Sequence, residues 1–86
     1  MKRYNIEVSA TAERQMKKLP REDQIRIARA ILHLAENPHP PGYRKLTGYE
    51  DVFRIRVGMY RVIFSVDPGK IIVIILKVGH RKNVYR

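Results

Sequence analysis

The stretch FRIRVGMYRVIF, residues 53–64, constrains the fold of this chain more than any other. Hydrophobic and other residues alternate on both sides of Gly58-Met59, the period-two pattern of half-buried strands. A glycine at the first of two central positions suits a type II′ hairpin turn, whose twist matches that of the strands it joins. With Gly58 and Met59 as the turn, Val57 faces Tyr60, Arg56 faces Arg61, Ile55 faces Val62 and Phe53 faces Phe64. One side of the hairpin then carries Phe53, Ile55, Val57, Tyr60, Val62 and Phe64, and needs a second layer to cover it. The other side carries Arg54, Arg56 and Arg61. Like charges directly opposite each other destabilise a sheet, so this side calls for water or an anion above it.

The rest of the chain supplies the covering layer. In YNIEV, Tyr4, Ile6 and Val8 alternate with Asn5 and Glu7, which predicts a strand. Ser9 is a candidate N-cap, and Ala12, Met16 and Leu19 keep helical spacing until Pro20. A second helix is expected from about Glu22 to Glu36, with Ile27, Ala28, Ile31, Leu32, Leu34 and Ala35 as a broad apolar stripe ended by Asn37-Pro38. PHPPGYRKLTGYED is too rich in Pro and Gly for either element and reads as a connection, with Leu46 as its anchor in the core. Three strands follow, about Val52 to Val57, Tyr60 to Val66, and Ile71 to Val78. A three-residue loop, Pro68-Gly69-Lys70, places Lys77 opposite Arg61 and turns Ile72, Ile74, Leu76 and Val78 to the packed side. By the same parity Arg81 joins the basic face, whose far end is apolar through Ile63, Ile71, Val73 and Ile75. The expected architecture is a single α+β domain spanning residues 1–86. It has an N-terminal strand, a two-helix hairpin and a three-stranded antiparallel meander, giving a mostly antiparallel four-stranded sheet with helices on one face.

Charge narrows the choice of partner. Eighteen Lys/Arg against eight Asp/Glu give a net charge of +10 in 86 residues, which favours nucleic acid or an acidic protein. The imbalance is concentrated in residues 44–86, with ten basic and three acidic side chains, against eight and five in residues 1–43. With no cysteine there is neither a disulfide framework nor a thiolate metal site. His33 and His39 lack the spacing of a metal pair, and Glu7, Glu13, Glu22 and Asp23 form no paired-carboxylate arrangement. No apolar run is long enough to span a bilayer and the first residues do not read as a signal peptide, so a soluble, cytoplasmic protein without cofactor or membrane partner is expected.

Taken together, the strand and helix pair, KLTG, the arginine hairpin, and KVGHRKNVYR near the end resemble the RelE/ParE superfamily of bacterial and archaeal toxins. The resemblance covers nearly the whole chain, and YRV after a short turn with VGHR and VY after an apolar strand are its specific parts. It implies a RelE-like fold and a toxin that cuts messenger RNA in the ribosomal A site without a metal. By position, the family's basic pair on one strand corresponds to Arg54 and Arg56, its arginine on the next strand to Arg61, its late arginine to Arg81 and its C-terminal tyrosine to Tyr85. Some well-known members carry lysines where this chain has Arg54 and Arg56. Arginine keeps its proton in proteins and is a poor base, so His80, beside Arg81, is the best candidate for proton transfer. Lys77, Lys45, Arg44 and Lys82 are expected to contact RNA. Arg14, Lys17, Lys18, Arg21, Arg26 and Arg29, on the helices, form a candidate docking surface for a RelB-like antitoxin with an acidic segment. Two other readings share the fold: a ParE-like inhibitor of DNA gyrase, and an inactive module that only binds an antitoxin.

Overall fold

The computed structural model describes residues 3–80, arranged as a helical layer on one face of a five-stranded sheet. Along the chain run β1 (Asn5–Val8), α1 (Ala10–Lys17), α2 (Arg21–Glu36), β2 (Arg44–Lys45), β3 (Val52–Val57), β4 (Tyr60–Asp67) and β5 (Ile72–His80). The sheet order is β1-β5-β4-β3-β2, with β1 parallel to β5 and the other neighbours antiparallel. Arg44–Lys45 is thus a short fifth strand inside the segment read from sequence as an irregular connection. It is recruited by pairing Arg44 with Arg54 and Lys45 with Phe53 rather than by any propensity of its own.

The helices start and stop where local chemistry dictates. Ser9 Oγ accepts the Ala12 N–H at 3.0 Å, capping α1, and donates to the Leu76 carbonyl at 2.9 Å. Pro20, with φ of −55°, leads into α2, and its carbonyl accepts the N–H groups of Asp23 and Gln24. Ala12, Ile27, Ile31 and Leu34 meet Ile55, Val62, Phe64, Val66, Val73, Ile75 and Val78 in one core. Each large side chain buried there contributes about 1.5–3 kcal/mol. The apolar stripe of α2 is narrower than its sequence suggests, because Ala28 and Leu32 are exposed.

The hairpin has the expected register, from Val57 opposite Tyr60 through Arg56 opposite Arg61 to Phe53 opposite Phe64. Gly58 takes φ of +59° while Met59 does not enter the left-handed region, as a II′-like turn requires. The β4–β5 pairing corrects the sequence reading. Asp67 pairs with Ile72 across a four-residue turn, Pro68–Ile71, rather than the three-residue loop. The Asp67 carboxylate accepts the N–H groups of Gly69 and Lys70 at 3.0 and 3.1 Å, and Ile71 is forced to φ of +55°. A one-residue shift alone would drive Lys77 inward, but a bulge at Leu76 resets the parity: Phe64 pairs with Ile75, while Ile63 pairs with Lys77 and Arg61 with Gly79. Val73 and Ile75 therefore face the core before the bulge and Val78 after it. Ile72, Ile74 and Leu76 are only half-buried, and Lys77 is exposed opposite Ile63 instead of opposite Arg61. Leu46 is also half-buried and stands outside the core cluster.

β1 leaves part of one edge of β5 uncovered. β1 pairs only as far as Val8 with Ile75. Beyond that point side chains of α1 and its N-cap take the place of a strand, with Ser9 on the Leu76 carbonyl and Gln15 Oε1 accepting the Val78 N–H at 2.7 Å. Backbone groups that β1 stops too early to pair are thereby satisfied.

Candidate nucleic-acid interface

Antiparallel pairing decides which cations meet. Arg56 lies opposite Arg61, and Arg44 lies opposite Arg54, so β2, β3 and β4 each contribute guanidinium groups to the face turned away from the helices. Arg44, Arg54, Arg56 and Arg61 line one cavity of about 560 Å³ together with Gly42. Among the described residues no carboxylate lines it. Arg54 and Arg61 are half-buried, Arg61 with its Nε shielded from water, whereas Arg56 is exposed. Partial burial in a pocket of one sign strengthens the field that an incoming anion meets. Guanidinium suits a phosphate better than ammonium would, because its planar fork donates to two oxygens at once.

The cationic surface continues toward the loop after β2. A second cavity of about 240 Å³ is lined by Lys45, Leu46, Thr47, Arg54 and Arg61. A third, about 400 Å³, shares Lys45, Leu46 and Thr47 with it and adds Gly48, Tyr49 and Glu50. The sequence reading gave Lys45 and Arg44 to this site but missed Tyr49 and assigned Leu46 to the core. KLTG was the available signal: a lysine and a turn immediately before the arginine hairpin. Lys77 shares the arginine face but does not line these cavities. Arg81, Lys82 and Tyr85 lie outside the described residues.

His80 is placed differently from the arginines. It pairs with Tyr60, whose side chain packs on the core, and the two rings stand 6.2 Å apart in an edge-on arrangement. The Tyr60 hydroxyl donates to Asp23 Oδ2 of α2 at 2.8 Å. That hydrogen bond, then burial, then the Asp23 charge raise the Tyr60 phenol above its ordinary value of 10.0. His80 therefore belongs to the helix-covered side of the sheet. The basic residues Arg14, Lys17, Lys18, Arg21, Arg26 and Arg29 are all exposed, on α1, just after it, or on α2. Lys17 reaches Glu13 at 3.6 Å. Among the described residues no three His, Asp or Glu side chains gather as a metal site would require.

The family model described as "ParE toxin of type II toxin-antitoxin system, parDE" matches residues 6–85. The chain belongs to the RelE/ParE superfamily of toxins. This toxin is 33% identical over 91 residues to Toxin RelG of Mycobacterium tuberculosis, covering 96% of this chain and 97% of that protein. It is 32% identical over 88 residues to Toxin RelE of the same organism, with 96% and 87% covered. Its fold matches a chain in the crystal structure of the archaeal RelE-RelB complex from Pyrococcus horikoshii OT3 with a TM-score of 0.83, at 28% identity, over 98% of this chain and 100% of that one. The toxin of a type II toxin–antitoxin system thus carries its arginine cavity on the sheet face opposite both helices. No helix among the described residues is long and apolar enough to cross a membrane.

Proposed function

We propose that this toxin is a metal-independent, ribosome-dependent endoribonuclease that cuts messenger RNA in the A site and so stops translation. The observation that carries the reading is the convergence of Arg44, Arg54, Arg56 and Arg61 on one cavity that no described carboxylate lines. In the proposed reaction a ribose 2′-oxygen attacks the adjacent phosphorus, the bond from phosphorus to the 5′-oxygen breaks, and a cyclic phosphate and a 5′-hydroxyl result. The attacking hydroxyl loses a proton and the leaving oxygen gains one. Arg61 and Arg81 hold the scissile phosphate, while Arg54 and Arg56 meet the extra phosphoryl charge or bind flanking phosphates. As permanent cations they act through charge and hydrogen bonding, not as bases. Tyr85 stacks on a splayed base or donates a hydrogen bond, and Lys45, Lys77 and Lys82 track the strand. His80, turned toward Tyr60, is left out of the proton-transfer step. The ribosome supplies the in-line orientation of the RNA, which accounts for much of such a barrier.

The partner in the resting state is a RelB-like antitoxin, as in the archaeal RelE-RelB complex whose fold this chain shares. Its acidic segment docks on Arg14, Lys17, Lys18, Arg21, Arg26 and Arg29. A second reading, inhibition of DNA gyrase, is favoured by the ParE description of the matching family. Primer extension on a message translated in the presence of the toxin separates the two. Cuts in phase with codons, lost in Arg61→Ala and Arg81→Ala, are expected. An uncut message together with inhibited gyrase supercoiling would overturn the nuclease reading.

A further inference from the structure

We infer that the loop at residues 45–50 forms a nucleobase subsite beside the arginine cavity, with Tyr49 as its stacking platform. The inference rests on the RNA-cleaving reading above and specifies where the strand goes after it leaves the arginines. The cavity lined by Arg54 and Arg61 and the one lined by Tyr49 and Glu50 share Lys45, Leu46 and Thr47, so the two adjoin along one loop. Charge changes sign along it, from guanidinium groups through Lys45 to the Glu50 carboxylate. A phosphate is attracted at the first end and repelled at the second. The part of a nucleotide that tolerates the far end is its base, which is uncharged.

The side chains there suit a base. Tyr49 is 61% exposed, more than any other large hydrophobic side chain among the described residues, and among them it has no ring partner. Tyr43 is different, because it is engaged edge-on with His39 and Phe53. Gly48, with φ of +89°, makes the turn that brings Tyr49 back over Leu46, whose carbonyl accepts the Tyr49 N–H at 3.3 Å. The ring is therefore carried on a closed turn rather than a loose tether. Stacking on such a ring accepts any base, since every base presents a π-face.

The test is binding of a fluorescent single-stranded 2′-O-methyl oligoribonucleotide, which lacks the attacking hydroxyl, to the full chain by anisotropy across a salt series. Tyr49→Ala is expected to weaken binding about 5- to 150-fold, the range for loss of one stacked base, and Tyr49→Phe to bind as wild type does. The salt slope should stay unchanged in Tyr49→Ala and become shallower in Arg61→Ala, because only the arginine contacts phosphate. Unchanged affinity in Tyr49→Ala alongside weakened Arg61→Ala would overturn the subsite and leave the nuclease reading standing. Equal loss in Tyr49→Phe would replace stacking with a hydroxyl contact and also overturn it. Wild-type protein that binds no RNA at low salt would overturn both.

Discussion

Arg56 and Arg61 occupy directly paired positions on β3 and β4, where like charges work against the sheet. Replacing Arg56 with threonine, a strand-compatible residue, should stabilise the toxin by roughly 0.2–1 kcal/mol, the usual scale of a cross-strand pair. Thermal melts at low ionic strength would show the gain, and added salt should shrink it. The same variant should bind RNA more weakly, as expected where a site keeps a feature that costs stability. Tyr60 presents the opposite case, a polar contact that ties the hairpin to α2 through Asp23. Its phenol is raised in the folded state, first by that hydrogen bond, so the contribution is complete below the unfolded value near 10 and disappears as pH rises through the folded one. Tyr60→Phe should therefore melt below wild type at neutral pH, and the two curves should converge under strongly alkaline conditions. A constant gap across that range would show that the hydrogen bond is not the cause.

Element by element, the sequence spoke clearly wherever a period and a turn agreed. The hairpin register is legible because Gly58-Met59 fixes the turn and alternating residues fix the faces, which puts Arg54, Arg56 and Arg61 on one side. β5 could not be read in this way. Six consecutive apolar residues, Ile71–Leu76, carry no alternation to say which of them face inward. The Asp67 side chain adds a residue to the turn and the bulge at Leu76 then reverses the parity, two tertiary events that leave no periodic trace. β2 was invisible for a related reason, since two exposed basic residues become a strand only when β3 is already there to pair with them. Gln15 likewise gave no signal as a replacement for β1 along β5. Gln15→Ala should leave the Val78 N–H unsatisfied at a cost of about 1–3 kcal/mol, lowering Tm by about 4–8 °C for each kcal/mol lost in a domain of this size. Hydrogen exchange should show faster exchange at Val78, and an unchanged rate there would remove Gln15 from its role.

Over the whole molecule the sheet separates two surfaces. Its covered face holds the core and carries the two helices with their exposed basic residues, while the open face gathers arginines from three strands around one cavity. Under the proposed function, an antitoxin on the helices and an RNA on the arginines would share no side chains. Family membership fixes the fold and the toxin role, and the claim that goes further is that the open face cleaves a phosphodiester. Single-turnover cleavage of a message held on programmed ribosomes, with wild type and Arg61→Ala at saturating toxin, tests that claim most directly. Wild type should cut within the A-site codon and Arg61→Ala should be slower by about 10²–10³-fold, the cost of losing one aimed donor to developing charge. Equal rates for the two proteins, or an intact message with wild type bound, would contradict it.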